Sequence, residues 1–187
     1  MKRFLFLLSI LCCLTCSVKG EKLQPGYRGF VDWSNSMRSY QLWEFLNKTD
    51  YYTGVSTSHG YQFNNWFYAG AGMDFEYCTN ENKFILAPFI DGRADLTFGK
   101  ITPFGDIRVG YSVNDGGGIY FSPSIGYRFN WGNKIGLNFG LGLTLKGYNK
   151  DLQDAVYYPE MGWWDFITVG KYRGCYAFFS FRLGIDF

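Results

Sequence analysis

Acyl-transfer chemistry needs a histidine beside a hydroxyl, and this chain offers one place for it: its single histidine, His59, in "STSHGY", preceded by Ser56, Thr57 and Ser58. A serine made nucleophilic by an adjacent imidazole is the arrangement that opens esters and amides. If the stretch is a strand, however, neighbouring side chains point to opposite faces, so Ser58 and His59 are separated by the sheet itself. Thr57 shares the histidine's face but is a poor nucleophile. A structural histidine is the expected reading, and no catalytic residue is assigned. Asp74 and Glu76, two apart on one strand face, have the form of a glycosidase carboxylate pair, but basic residues share that face and nothing else supports the chemistry. No cofactor and no metal is expected.

Charge at alternate positions is the more extensive pattern. Arg28, Arg93, Arg108, Arg128, Lys146 and Arg182 stand with Asp32, Asp74, Glu76, Asp91, Asp95, Asp106 and Asp186 at positions that period-two segments place on one face. If that face is the inside of a barrel, six positive groups meet seven negative ones in a narrow space. Two functions then compete: an ion or proton path, and a paired network that plugs the interior. The plug is favoured, because an unpaired buried charge costs several kcal/mol.

The elements that would hold these groups are strands. Period-two runs fall at residues 26–34, 51–63, 66–77, 84–98, 101–113, 119–131, 135–148 and 175–187, separated by turn-forming residues such as Asn64-Asn65, Gly99-Lys100 and Gly132-Asn133-Lys134. Short turns alternate with longer connections, the last of them the 26-residue stretch from Asn149 to Gly174. Glycine at 24 positions and 21% aromatic residues suit many short strands better than helices. The expectation is an all-β, eight-stranded antiparallel up-and-down barrel.

Which face points inward decides the solvent around the barrel. In "IGLNFGLGLTLKGY", Ile135, Leu137, Phe139, Leu141, Leu143 and Leu145 alternate with glycine, Asn138, Thr144 and Lys146. A soluble lipocalin-like barrel would turn the leucines in, whereas a transmembrane barrel turns them out. Glycines on the polar face, at 70, 72, 110, 126 and 184, fit a crowded interior better than a solvated surface. Aromatics agree: Phe63, Trp66, Phe98, Phe129, Trp131 and Phe187 lie at the short-turn end, and Trp33, Tyr51, Tyr52, Tyr77, Phe84 and Tyr148 toward the other. Two such belts mark the two interfaces of a membrane. Pro88, Pro103 and Pro123 each cost a ladder bond and are expected at rims or bulges.

The start of the chain reads as an export signal, with Lys2 and Arg3, an apolar run to Cys16, and Val18 and Gly20 at the spacing of a signal-peptidase site. Cleavage after Gly20 is expected, leaving residues 21–187 as the barrel domain. A lipid-modified Cys16 is the alternative, with a poor match in the residues before it. Cleavage would leave 15 basic against 16 acidic residues, which removes the electrostatic motive for nucleic-acid binding. Cys78 and Cys175 would remain, in a compartment that permits a disulfide; their spacing does not decide whether they meet.

On these features the chain resembles the small eight-stranded outer-membrane barrels of Gram-negative bacteria, the group that includes the outer-membrane protein A transmembrane domain and outer-membrane protein X. "GYRGFVDW", "STSHGYQFNNWFYAGAGMDFEY", "KITPFGDIRVGYSV", "YFSPSIGYRF" and the final "FRLGIDF" carry the likeness across nearly all of residues 21–187. It implies a monomer in the outer membrane, surrounded by membrane lipid and lipopolysaccharide. It also implies delivery by the barrel-assembly machinery, with Phe187 similar to the terminal aromatic of the assembly signal. Activity does not follow from such a fold. The expected role is structural or surface interaction through extracellular loops; a lipid A deacylase or acyltransferase-type enzyme and a small porin-like pore are the rivals. Tyr157, Tyr158, Trp163, Trp164 and Phe166 of the last connection are the candidate binding residues for a protein or glycan, with packing among themselves as the alternative.

Overall fold

The structure, a computed structural model, describes residues 24–39, 49–80, 82–96, 100–114, 117–131, 135–158 and 163–187, with side chains outside 38–39, 49–50, 148–158 and 163–172. Eight antiparallel strands follow in chain order: β1 (Gly26–Ser39), β2 (Thr49–Gln62), β3 (Phe67–Cys78), β4 (Lys83–Asp95), β5 (Ile101–Ser112), β6 (Gly118–Trp131), β7 (Ile135–Tyr158) and β8 (Trp163–Asp186). Each pairs with its neighbours, and β8 pairs with β1, so the sheet closes on itself. The expected all-β barrel of eight strands is the fold. The export segment, Phe98, Gly99 and the turn at 132–134 lie outside the described residues.

Register fixes the dimensions. Partners followed round the wall run from Arg28 through Gly60, Gly70, Asp91, Arg108 and Ser122 to Thr144 and Phe178. Because Met37 is paired with Phe179, the circuit returns to β1 at position 38, ten residues above its start. That stagger over eight strands tilts them by about 40° and leaves an interior that side chains can fill.

Facing follows the alternation. Leu137, Phe139, Leu141 and Leu143 are exposed on the outer wall, while Asn138, Thr144 and Lys146, of the opposite parity, are buried. Inner glycines give the wall room for rings: a Cβ on Gly72 would come within 2.7 Å of the Phe89 ring, and one on Gly126 within 2.7 Å of Phe104. Pro123 leaves a gap in the β6–β7 ladder between Phe121↔Leu145 and Ser124↔Gly142, with the register unchanged on either side. Pro88 lies just above the last β4–β5 pair, Phe89↔Gly110. Pro103 keeps its place near the turn, its carbonyl accepting from the Leu96 amide at 2.8 Å.

The upper connections differ from the sequence reading. β1 continues to Ser39, which leaves Trp33 in mid-strand on the outer face rather than in a belt. Tyr52 points inward and is buried. The largest correction concerns 149–174, expected as a loop: β7 and β8 are each 24 residues long and remain paired as far as Tyr158↔Trp163. An irregularity between Leu152 and Gln153 shifts the register, and this broke the alternation in the sequence. The upper ladder between β6 and β7 ends at Tyr120↔Lys146 and that between β8 and β1 at Met37↔Phe179. Among the described residues, β7 and β8 pair only with each other beyond those pairs, in a ribbon about 40 Å long at ordinary strand rise.

Candidate functional site

All thirteen charged residues read as inward-facing are buried in the barrel interior. Strand tilt sorts them into three levels. At the short-turn end, Asp186 of β8 accepts from Arg128 Nη2 at 2.7 Å, Arg28 Nε at 3.1 Å and Asn138 Nδ2 at 2.8 Å. Asp95 of β4 accepts from Arg28 Nη1 at 2.8 Å and Arg93 Nε at 3.1 Å. Gln62 and Asn138 take further guanidinium protons at 2.8 and 2.7 Å. The Arg93 guanidinium also lies 3.6 Å from the Phe104 ring centre and 5.0 Å from that of Phe30.

At mid-height Arg108 of β5 is the hub. It donates to Asp32 through Nη2 and to Ser56 Oγ at 2.9 Å through Nη1, with Asp91 Oδ2 3.9 Å from its Nε. Beside it Arg182 Nη2 donates to Asp106 Oδ1 at 2.6 Å, and Ser124 Oγ to the same oxygen at 2.7 Å. Toward the loop end Lys146 pairs with Glu76, its ammonium 4.1 Å from the Tyr52 ring centre and 5.0 Å from that of Phe178.

Every one of the six cationic groups therefore has a carboxylate partner, and among the described residues six of the seven carboxylates have a cationic one. The seventh is Asp74. Its Oδ2 accepts the Tyr120 hydroxyl at 2.9 Å, and its Oδ1 has no hydrogen-bond partner among the described residues. A cavity among Asp32, Arg93, Phe104, Asp106, Ser124, Asn138, Gly140 and Arg182 measures only about 10 Å³, room for one water molecule. Chemically, this interior is a set of charge-assisted hydrogen bonds between side chains, with aromatic rings between the levels. Sequence reading missed Ser124 and Tyr120, which share the parity of Arg128 in β6 and could have been read from it; Gln62 and Ser56 lie in β2, which has no inward charge among the described residues to set the parity, and Asn138 was placed on the polar face without a partner.

The remaining candidates are not brought together. Ser58 points inward and bonds Tyr68 Oη at 3.0 Å, whereas His59 stands on the outer face. There its Nδ1 is 2.6 Å from Tyr27 Oη and its Nε2 2.9 Å from Thr57 Oγ1. Ser56 serves Arg108 instead. Cys78 and Cys175 are free thiols on opposite sides of the wall, the first buried with Tyr52, Ile85 and Phe178 and the second exposed. Among the described residues no group of three or more His, Cys, Asp or Glu side chains is placed to hold a metal ion. In the ribbon, backbone register sets Tyr157 opposite Trp164, Tyr158 opposite Trp163 and Ala155 opposite Phe166; their side chains lie outside the described set.

The class is thus a closed eight-stranded antiparallel barrel with a charged, filled interior and an apolar outer wall. No protein-family model matches the chain, and no curated protein matches it.

Proposed function

We propose that this chain is an integral outer-membrane barrel with a sealed interior, whose role is structural and surface-interactive and whose contact element is the β7–β8 ribbon. One observation carries the reading: polarity is inverted, with charge inside and an apolar wall outside. Val31, Val55, Ile90, Ile107, Ile125 and Leu141 are each at least 38% exposed, which in water would be a continuous apolar patch all round the molecule. In a bilayer the same wall is the lipid contact, and a closed ladder leaves no unpaired backbone in hydrocarbon. Phe63, Trp66, Phe129, Trp131 and Phe187 at one end and Tyr51, Tyr77 and Phe84 at the other are exposed where two interfacial belts would lie.

With the short turns on the periplasmic side, strand parity directs the ribbon out of the cell. Its backbone register sets Gln153 opposite Thr168, Ala155 opposite Phe166 and Tyr157 opposite Trp164. A ribbon rich in aromatic residues beyond the membrane suits adhesion to a protein or glycan. The barrel itself would be a monomer among lipopolysaccharide and phospholipid, delivered by the assembly machinery.

Expression in a Gram-negative host followed by membrane fractionation tests the location. The folded protein should reside in the outer membrane, resist dissociation in detergent until heated, and begin at Glu21 by intact mass. A soluble periplasmic product would refute the proposal.

A further inference from the structure

The β1–β8 seam is the one strand pairing in this barrel whose partners are far apart in the chain, so it carries the largest loop-closure cost and gains least from local order. Its ladder runs from Met37↔Phe179 down to Phe30↔Asp186. One step lower, Gly29 and Phe187 exchange both backbone bonds: Gly29 N–H to Phe187 O at 2.9 Å, and Phe187 N–H to Gly29 O at 3.0 Å. Gly29 has the parity of the outer wall, yet it is buried. The cover is the Phe187 ring. A Cβ on Gly29 would stand 2.9 Å from both Cε2 and Cζ of that ring and 3.2 Å from Tyr27 Oη.

The surroundings of this spot are fixed from the other side. His59 is the ladder partner of Gly29 across β1–β2. Its Nδ1 holds the Tyr27 hydroxyl at 2.6 Å, its ring lies nearly parallel to that of Tyr27, and its Nε2 is anchored by Thr57 Oγ1 at 2.9 Å. Whichever nitrogen carries the proton, both are satisfied, so an imidazole on an apolar wall is left with no open hydrogen bond. Tyr27 is thereby held beside Gly29.

We propose that Gly29, flanked by Tyr27 and His59, is the docking socket for Phe187, and that filling it locks the seam of the barrel. A Cβ on Gly29 would press against the far edge of the aromatic ring, and His59 serves as a strut for Tyr27 rather than as a base. The socket rests on the geometry alone and holds whether or not the ribbon binds a partner.

A double-mutant cycle on the purified full chain, refolded into detergent or phospholipid vesicles without assembly factors, tests this. Overpacking of this kind lowers a folding equilibrium by about tenfold. Gly29→Ala should show that loss, and Phe187→Ala a similar one. Adding Gly29→Ala to Phe187→Ala should then cost about twofold or less, because the ring it would strike is gone. Where Phe187→Ala does not fold, Phe187→Leu takes its place. Should Gly29→Ala fail to fold, recovery of folding in the double variant supports the socket and failure in both backgrounds overturns it. Wild-type behaviour of Gly29→Ala, or an equal cost in both backgrounds, would also overturn it.

Discussion

Replacing Arg108 with alanine tests whether the interior is a plug held by paired charge. Arg108 is 2% exposed and binds Asp32, 5% exposed, directly; Asp91, also 5% exposed, is its other acidic neighbour. Deleting the guanidinium leaves both carboxylates without a cation and takes the interior from six positive groups against seven negative to five against seven. Breaking one buried pair by removing a partner costs about 3–5 kcal/mol. Asp91 is 3.9 Å away and adds less than a second full pair. The hydrogen bond to Ser56 at 2.9 Å and the Phe89 ring 4.9 Å from the guanidinium carbon are lost as well. Water entering the vacated space recovers part, so a loss near 4 kcal/mol is expected. Urea unfolding of the barrel in detergent, followed by tryptophan fluorescence, measures it. The control is Arg108→Met with Asp32→Asn and Asp91→Asn, which removes the whole charge set and should recover most of the loss. A change below ~1 kcal/mol for Arg108→Ala would refute buried pairing, and an uncorrected loss in the triple variant would refute charge as its cause.

Three other predictions follow from the same geometry. Planar bilayers containing the wild-type protein should show no steady conductance, since the gap between its central charges holds about one water; discrete long-lived steps would make the interior a path. Cys175 should react with a polar maleimide in the folded protein while Cys78, 1% exposed, stays unmodified until unfolding; equal rates would misplace both thiols. Trp163→Ala with Trp164→Ala should abolish attachment to whatever cell-surface protein or glycan the barrel binds, with the barrel's own unfolding midpoint unchanged. A fall in midpoint with attachment intact would show that the ribbon's aromatics serve only one another.

The eight strands, and the facing of all but the second, were legible because period two is local; β2 has no inward charge among the described residues to mark its face. Leu137 to Lys146 announces its two faces within ten residues, and the same parity carried Arg28, Asp74, Arg108 and Arg182 to the inside. Partner choice was not legible, since it depends on the stagger of the closed sheet. Arg28 reaches Asp95 and Asp186, 67 and 158 positions away, and no local pattern encodes that meeting. The β7–β8 ribbon was hidden for a different reason. The shift at Leu152 and Gln153 interrupts the alternation, so charged and aromatic residues beyond it read as a loop. The histidine was half legible: two-residue parity put Thr57 on its face and Ser58 on the other, as found, whereas its second partner, Tyr27, lies across a strand pair and could not be read locally.

A count of six cationic and seven acidic groups was readable in advance, but the surplus carboxylate could be named only from geometry. Asp74, 2% exposed, accepts from Tyr120 at 2.9 Å and has no cation bridged to it among the described residues. Glu76 is two residues along on the same face, so Asp74 adds repulsion where Lys146 is already paired with Glu76 and the next cation, Arg108, is already bonded to Asp32 and Ser56. Asp74→Asn keeps an oxygen for Tyr120 and adds an amide that can donate, while removing the surplus charge. Its stability should lie within ~1 kcal/mol of wild type or above it. Asp186→Asn, at a carboxylate holding two arginines and Asn138, should by contrast lose several kcal/mol. Both variants can be read in the urea assay used for Arg108. A large loss for Asp74→Asn would mean that its charge is compensated by a partner not counted among the six, and the picture of one surplus carboxylate would fall.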